Sequence, residues 1–316
     1  MDMDQELVKA LDVRCAELNT RPAMHLDRVF SVIRRLEEHL QGNRLPDGLA
    51  AQLIGELTYY VVLIPIPIPL GQRIKFSRAV RYEESTGITY EALSRLSYIP
   101  IGGPITAKLG RLNKVGESKF YACKDDHANS IGAVLSEARA RPGEIFNILI
   151  SETIPPEKVK EPTDNELIIT PLGIFDYYRR GVPDPFGLHP AHRKSYEYLV
   201  KNSHPEGMLA MQLVDAFISD ILKRQETEGL YTLTSVLAAE IDAIPIIDGI
   251  LYPSTQFDSF PNVALNPSAV DKKLQHTSAI AVRVLERYGY GIFKTEQIAK
   301  GTVTNGLLTW EHLRVA

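Results

Sequence analysis

Only two cysteines, Cys15 and Cys123, occur among the 316 residues of this chain. That is too few for a disulfide framework, and a reducing, cytoplasmic setting suits such sparing use. Cys123 stands two positions after Tyr121 on a stretch of strand character, where a small buried thiol is expected rather than a nucleophile. Long apolar runs are lacking as well: none approaches the roughly 20 residues a membrane helix needs. The nearest, Tyr59 to Leu70, carries prolines at 65, 67 and 69, each of which removes a helix donor and clashes with the preceding turn. The opening Met-Asp-Met-Asp-Gln-Glu is acidic where a secretory signal would be basic and then apolar. An excess of positive charge is missing too: the formal net charge of −4 gives no general pull toward nucleic acid. The expectation is a soluble cytoplasmic protein with no membrane partner and no direct nucleic-acid binding.

What is present is the composition of a globular protein, 44% hydrophobic and 23% charged, long enough for one large core or two ordinary ones. Residues 1–63 read as a helical N-terminal region. Leu26, Val29, Phe30, Ile33, Leu36 and Leu40 recur at helical spacing, and Leu49, Leu53, Ile54, Leu57 and Val61 follow on one side of a second segment. Residues 64–72, with Ile-Pro repeated, read as an extended connector. The main domain is expected over 73–316. Its first strand, Ile74 to Val80, sets Arg78 within an otherwise apolar face. A strand over Lys119 to Cys123 precedes a helix with a buried stripe of Ala128, Ile131, Leu135 and Ala138, capped by Asp125 or Asp126 and stopped at Pro142-Gly143. Phe146 to Ser151 is the next strand. Residues 152–205 show little periodicity and read as irregular, within an insertion at about 152–235 that also holds an apolar helix from Met208 to Leu222. Ile246 to Tyr252, Asn262 to Leu265 and Ala279 to Leu285 are strand candidates. The class is α+β with a mixed sheet, the strands being too unevenly spaced for a doubly wound one.

Several side chains carry chemistry. Arg111 and Asn113 lie in a loop bracketed by Gly110 and Gly116, where backbone can approach a ligand closely. Arginine offers planar, bidentate contacts to phosphate oxygens, and Arg78 with Arg111 would suit a pyrophosphate. Tyr121 offers a ring for stacking. Glu137 sits beside the buried stripe of its helix, where a carboxylate either pairs with Arg141 or stabilises developing positive charge. Pro253 ends a strand and presents Ser254 at its tip. No histidine base stands near it in sequence, so a serine-hydrolase triad has little support. His189-Pro190-Ala191-His192 has a spacing seen in zinc sites, but proline between the imidazoles and no nearby cysteine argue against a metal. Tyr288-Gly289-Tyr290-Gly291 reads as a turn rather than a dinucleotide fingerprint.

Taken in order, Arg78, Gly110-Arg111-Leu112-Asn113, Gly116 to Tyr121, Glu137, Gly249 to Ser254, and Asn262 resemble the RES domain, a family named for its Arg, Glu and Ser. The resemblance covers roughly residues 73–155 and 245–285. Leu112 stands where the family usually has an aromatic. It implies a core like that of ADP-ribosyltransferases and an NAD-consuming enzyme that cleaves the nicotinamide–ribose bond by hydrolysis or phosphorolysis. A bacterial toxin held by a cognate antitoxin is the setting it implies. NAD is then substrate, with no permanently bound cofactor. Arg78, Arg111, Asn113 and Asn262 would bind it, and Glu137, Tyr121 and Ser254 would form the catalytic set. Two alternatives stay open: a mono-ADP-ribosyltransferase acting on a protein, and a non-catalytic interaction protein that uses the Leu26-to-Leu40 stripe.

Overall fold

Two tracts, 75–81 and the largely buried 145–153, lie side by side at the middle of the sheet in a computed structural model of the chain. The model describes residues 5–100, 102–103, 105–124, 130–159, 165–225, 227–254 and 261–313. The strands are β1 (Ile66–Pro69), β2 (Lys75–Arg81), β3 (Phe120–Lys124), β4 (Ile145–Thr153) and β5 (Glu166–Pro171), then β6 (Gly249–Tyr252), β7 (Asn262–Leu265), β8 (Leu274–Gly289), β9 (Ile292–Thr304) and β10 (Leu307–His312). Among the described residues they form one ten-stranded sheet in the order β1-β5-β6-β7-β3-β2-β4-β8-β9-β10. Every neighbouring pair is antiparallel except β5 and β6. The class is therefore α+β with a mixed sheet, as the pattern of elements predicts.

The helices are α1 (Gln5–Asn19), α2 (Pro22–Leu40), α3 (Asp47–Thr58), α4 (Ser130–Glu137), α5 (Ile174–Arg180), α6 (Pro190–Asn202), α7 (Pro205–Lys223), α8 (Glu228–Asp242) and α9 (Pro267–Lys273). Helices α6 and α7 each open on a His-Pro pair. His189 accepts from the Ala191 amide at 3.2 Å and His204 from the Glu206 amide at 3.3 Å, while each proline takes the first helical position, where no donor is needed. His189 is thus a helix cap and His192 is buried in α6. Among the described residues no cluster of three or more metal-binding side chains occurs, and no helix is long and apolar enough to cross a membrane.

Helix α7 is the hub of the helical side. Met211, Val214, Ile218 and Leu222 are buried along it, and α2 packs against it while α3 packs on α8. A single apolar cluster runs from Leu18, Val29 and Leu53 through Met211 and Leu237 to Phe76, Phe120 and Val263 of the sheet.

Four expectations need correction. The Ile-Pro segment is not a free connector, because Ile66–Pro69 pairs with β5 as an edge strand. Residues 152–205 are not irregular: they contribute β5 to the sheet and helices α5 and α6. On α2 the buried seam is Val29, Val32 and Leu36, and Phe30 is 61% exposed. On α4 the buried apolar residues are Ala133, Val134 and Leu135, with Ile131 turned to solvent, and the helix ends at Glu137 rather than at Pro142. Ala128 and the caps Asp125 and Asp126 lie outside the described residues.

Candidate active site

The loop before β3 owes its shape to Asn113. Its Nδ2 reaches the carbonyls of Lys108, Lys114 and Glu117 at 2.8, 2.9 and 3.0 Å, and its Oδ1 accepts from the Tyr121 hydroxyl at 2.8 Å. The same hydroxyl accepts from the Leu112 amide at 2.9 Å. Gly110 bridges to Asn113, and any side chain at 110 would overlap Asn113 Oδ1, so glycine is required there by close approach. Arg111 turns the other way. Its Nη1 donates to the Leu222 carbonyl at 2.9 Å and its Nη2 to the Arg224 carbonyl at 3.3 Å. A cation on the last carbonyls of α7 satisfies orphan acceptors and complements the helix dipole. Its guanidinium lies 5.5 Å from the Tyr231 ring on α8.

Beside this loop a cleft of about 340 Å³ opens, lined by Arg78, Arg111, Tyr121, Glu137, Tyr231, Tyr252 and Asn262, among others. Five of the seven residues expected in the site therefore share one cavity. Ser254 joins them through its hydroxyl, which donates to Glu137 Oε1. Asn113 does not face the cleft. It stands behind the Tyr121 hydroxyl as part of the loop, which corrects its expected role in holding substrate. The Tyr121 hydroxyl and two Arg111 nitrogens are likewise occupied, so these residues offer the cleft a ring and the remaining face of a guanidinium.

The opposite wall is built by β2, β3, β7 and the end of α4. Arg78 projects from β2 and gives one hydrogen bond from Nη1 to the Tyr121 carbonyl at 3.0 Å. Its Nε is buried and finds no partner among the described residues. Burial pushes its pKa down to about 10, so it stays a cation near neutral pH. On β7, opposite Cys123 in register, Asn262 accepts from the Cys123 thiol at 3.2 Å, and its buried Nδ2 also lacks a partner among the described residues. A buried donor without an acceptor costs about 1–3 kcal/mol, more for a charged group. Two such donors on one cavity wall suit an acceptor-rich ligand.

Glu137 is the last helical residue of α4. The Ala140 amide returns to the Leu135 carbonyl and the Arg139 amide to the Ser136 carbonyl, each at 2.9 Å. This closes the helix with a Schellman turn in which Arg139, at φ 52°, holds the position that favours glycine. A carboxylate in the last turn faces the negative end of the helix, and the Ser254 hydroxyl helps hold it there. Burial is also the first cause that pushes the pKa values of Tyr121 and Tyr252 well up, with Glu137 adding to the rise at Tyr252. Both phenols stay neutral.

Tyr231 and Tyr252 complete the walls, and sequence reasoning assigned neither a role. Tyr252 was visible beside Ser254. Tyr231 sits in the first turn of α8, 120 residues from Arg111 in sequence, with no local signal that they meet. No family model matches the chain, and no curated protein and no solved structure matches it either.

Proposed function

We propose that the cleft binds NAD and cleaves the bond between nicotinamide and ribose, within a core of ADP-ribosyltransferase type. The observation that carries this reading is one cleft wall that gathers Arg78 and the Asn262 amide, each with a buried donor unpartnered among the described residues, and a serine-anchored carboxylate, Glu137. A buried cation without a counter-ion among the described residues favours an anionic ligand, which a pyrophosphate supplies. As nicotinamide departs it takes the bonding electron pair and becomes neutral, and the ribose carbon gains positive charge. Glu137 stabilises that charge, an interaction worth most where water is excluded. An acceptor oxygen then bonds to the ribose carbon and gives up its proton to solvent. Ser254 positions the carboxylate, and the tyrosine rings supply flat walls for the departing heterocycle.

Incubation of the purified protein with NAD⁺, with and without inorganic phosphate, tests the proposal through release of free nicotinamide. Release is expected in at least one condition, and its absence in both overturns the reading. Depletion of NAD would make the active protein toxic to its host, so growth arrest on expression, absent for Glu137→Gln and relieved by a cognate antitoxin, is the cellular counterpart.

A further inference from the structure

A second cavity, of about 490 Å³, adjoins the cleft. Ala138 lines both cavities, and β2 runs through both, giving Arg78 and Ala79 to the cleft and Val80 and Arg81 to the groove. At about 3.3 Å of rise per residue, Arg78 and Arg81 are roughly 10 Å apart along the strand. The two side chains leave opposite faces of the strand, so a ligand that reaches both cavities crosses at Ala138, which lines each.

The groove is lined by four arginines, Arg81, Arg95, Arg139 and Arg141. Two carboxylates stand near them, and Arg81 engages both: Glu83 at 2.8 Å and Glu144 at 3.1 Å. Neither Arg95 nor Arg141 has an ion-pair partner among the described residues. The Arg95 guanidinium lies 4.8 Å from the ring centre of Tyr90, and Tyr90 is itself fixed, donating to the Arg81 carbonyl at 2.9 Å and accepting from the Glu83 amide at 3.1 Å. Arg139 enters from the glycine-favouring position of the α4 turn, and strained residues of this kind persist where the surroundings demand them. A planar guanidinium on a fixed ring, flanked by further arginines, is a geometry for a phosphate monoester and for the heterocycle beside it. Acidic side chains that hold an unmodified ribose 2′-hydroxyl would repel a phosphate, and here the one that lines the groove, Glu83, is neutralised by Arg81.

We propose that this groove binds the 2′-phosphate of a phosphorylated dinucleotide, so that the protein takes NADP⁺ in preference to NAD⁺. The proposal rests on the reading of the cleft as a dinucleotide site. The test is calorimetric titration of the whole protein with 2′,5′-ADP and with 5′-ADP, alongside nicotinamide release from NADP⁺ and NAD⁺. Binding of 2′,5′-ADP at least about tenfold tighter is expected, with the difference shrinking at high salt. In the double variant Arg95→Ala/Arg141→Ala the ratio of the two affinities falls toward one, whereas Arg95→Lys/Arg141→Lys keeps part of it. Equal binding of the two nucleotides, or a ratio unchanged in the alanine variant, overturns the groove assignment and leaves the cleft reading standing. If neither nucleotide binds while NAD⁺ is still cleaved, the groove alone is overturned. If neither binds and no nicotinamide is released, both readings fall.

Discussion

The two walls of the cleft are built from similar residues and put to different uses. On the loop wall, Asn113, the Tyr121 hydroxyl and two Arg111 nitrogens spend their hydrogen bonds on the protein's own carbonyls and amides. On the strand wall, Arg78 and Asn262 each keep a buried donor without a partner among the described residues, and the Ser254 hydroxyl anchors the Glu137 carboxylate. Polar groups buried in both places incur the same desolvation penalty. The loop wall recovers it from within, and the strand wall recovers only part of it. The lesson is that an arginine or asparagine near a cavity signals a ligand through its unsatisfied atoms, not through its residue type.

Substitutions can break this comparison. The largest effect is expected for Glu137→Gln, which keeps the shape but removes the charge that acts on the transition state. Nicotinamide release should fall by about 10²–10³-fold, with substrate affinity and melting temperature nearly unchanged. A variant that cleaves at the parental rate would remove Glu137 from the chemistry. Next in size, Asn113→Ala should cost about 3 kcal/mol in urea unfolding, because several buried backbone groups and the Tyr121 hydroxyl lose a partner together. An unchanged unfolding midpoint with lost nucleotide affinity would move Asn113 to the other wall. Arg78→Ala should do the reverse: ADP-ribose affinity drops about ten- to a hundredfold, while stability holds or rises as a desolvated cation is removed. Loss of folding in this variant would show that Arg78 is as structural as Arg111.

The smallest effect sharpens the comparison from outside the cleft. His192 also carries a buried Nδ1 with no partner among the described residues, yet it lines neither the cleft nor the groove. Burial pushes its pKa down to about 4, against a partial opposing pull from Asp184. Its folded pKa therefore lies below its unfolded one near 6.5. Between those values the unfolded chain takes a proton that the folded chain refuses, so stability is lost as pH falls through 6.5 and levels off below about 4. Lowering pH from 7 to 5.5 should cost about 1 kcal/mol through this residue. His192→Gln should flatten that part of the urea-midpoint profile without altering nucleotide binding. A profile unchanged by the substitution would assign the acid sensitivity elsewhere, for example to His276, whose pKa burial also lowers.

Much of the fold was legible where the spacing of apolar side chains, or an unbroken run of them, marks an element. The stripe of α3, the apolar helix α7 and the strands β2 and β4 follow directly from side-chain spacing. Phe30 misled because it lies one position from the Val29–Val32–Leu36 seam, about 100° around the helix, and so outside it. Helix α5 escaped notice because Ile174 to Tyr178 are all buried, which leaves no two-faced pattern to detect. In the site, the residue set was readable but the division of labour was not. Whether Arg111 meets a ligand or the end of α7 depends on a helix more than a hundred residues downstream, and no local pattern encodes that meeting.

The proline-bearing strand at one margin of the sheet bears on assembly. The Leu70 amide donates across to the Asn165 carbonyl, and strand alternation puts the Ile68 and Ile66 amides on that same side. Positions 67 and 69 then face outward, and both are prolines with no hydrogen to give. A strand arriving from another molecule meets pyrrolidine rings instead of donors. The opposite margin, β10, has no such block. Stacking of copies into a fibre requires two receptive margins on every molecule, and this sheet offers one. Edge pairing can join two copies and goes no further.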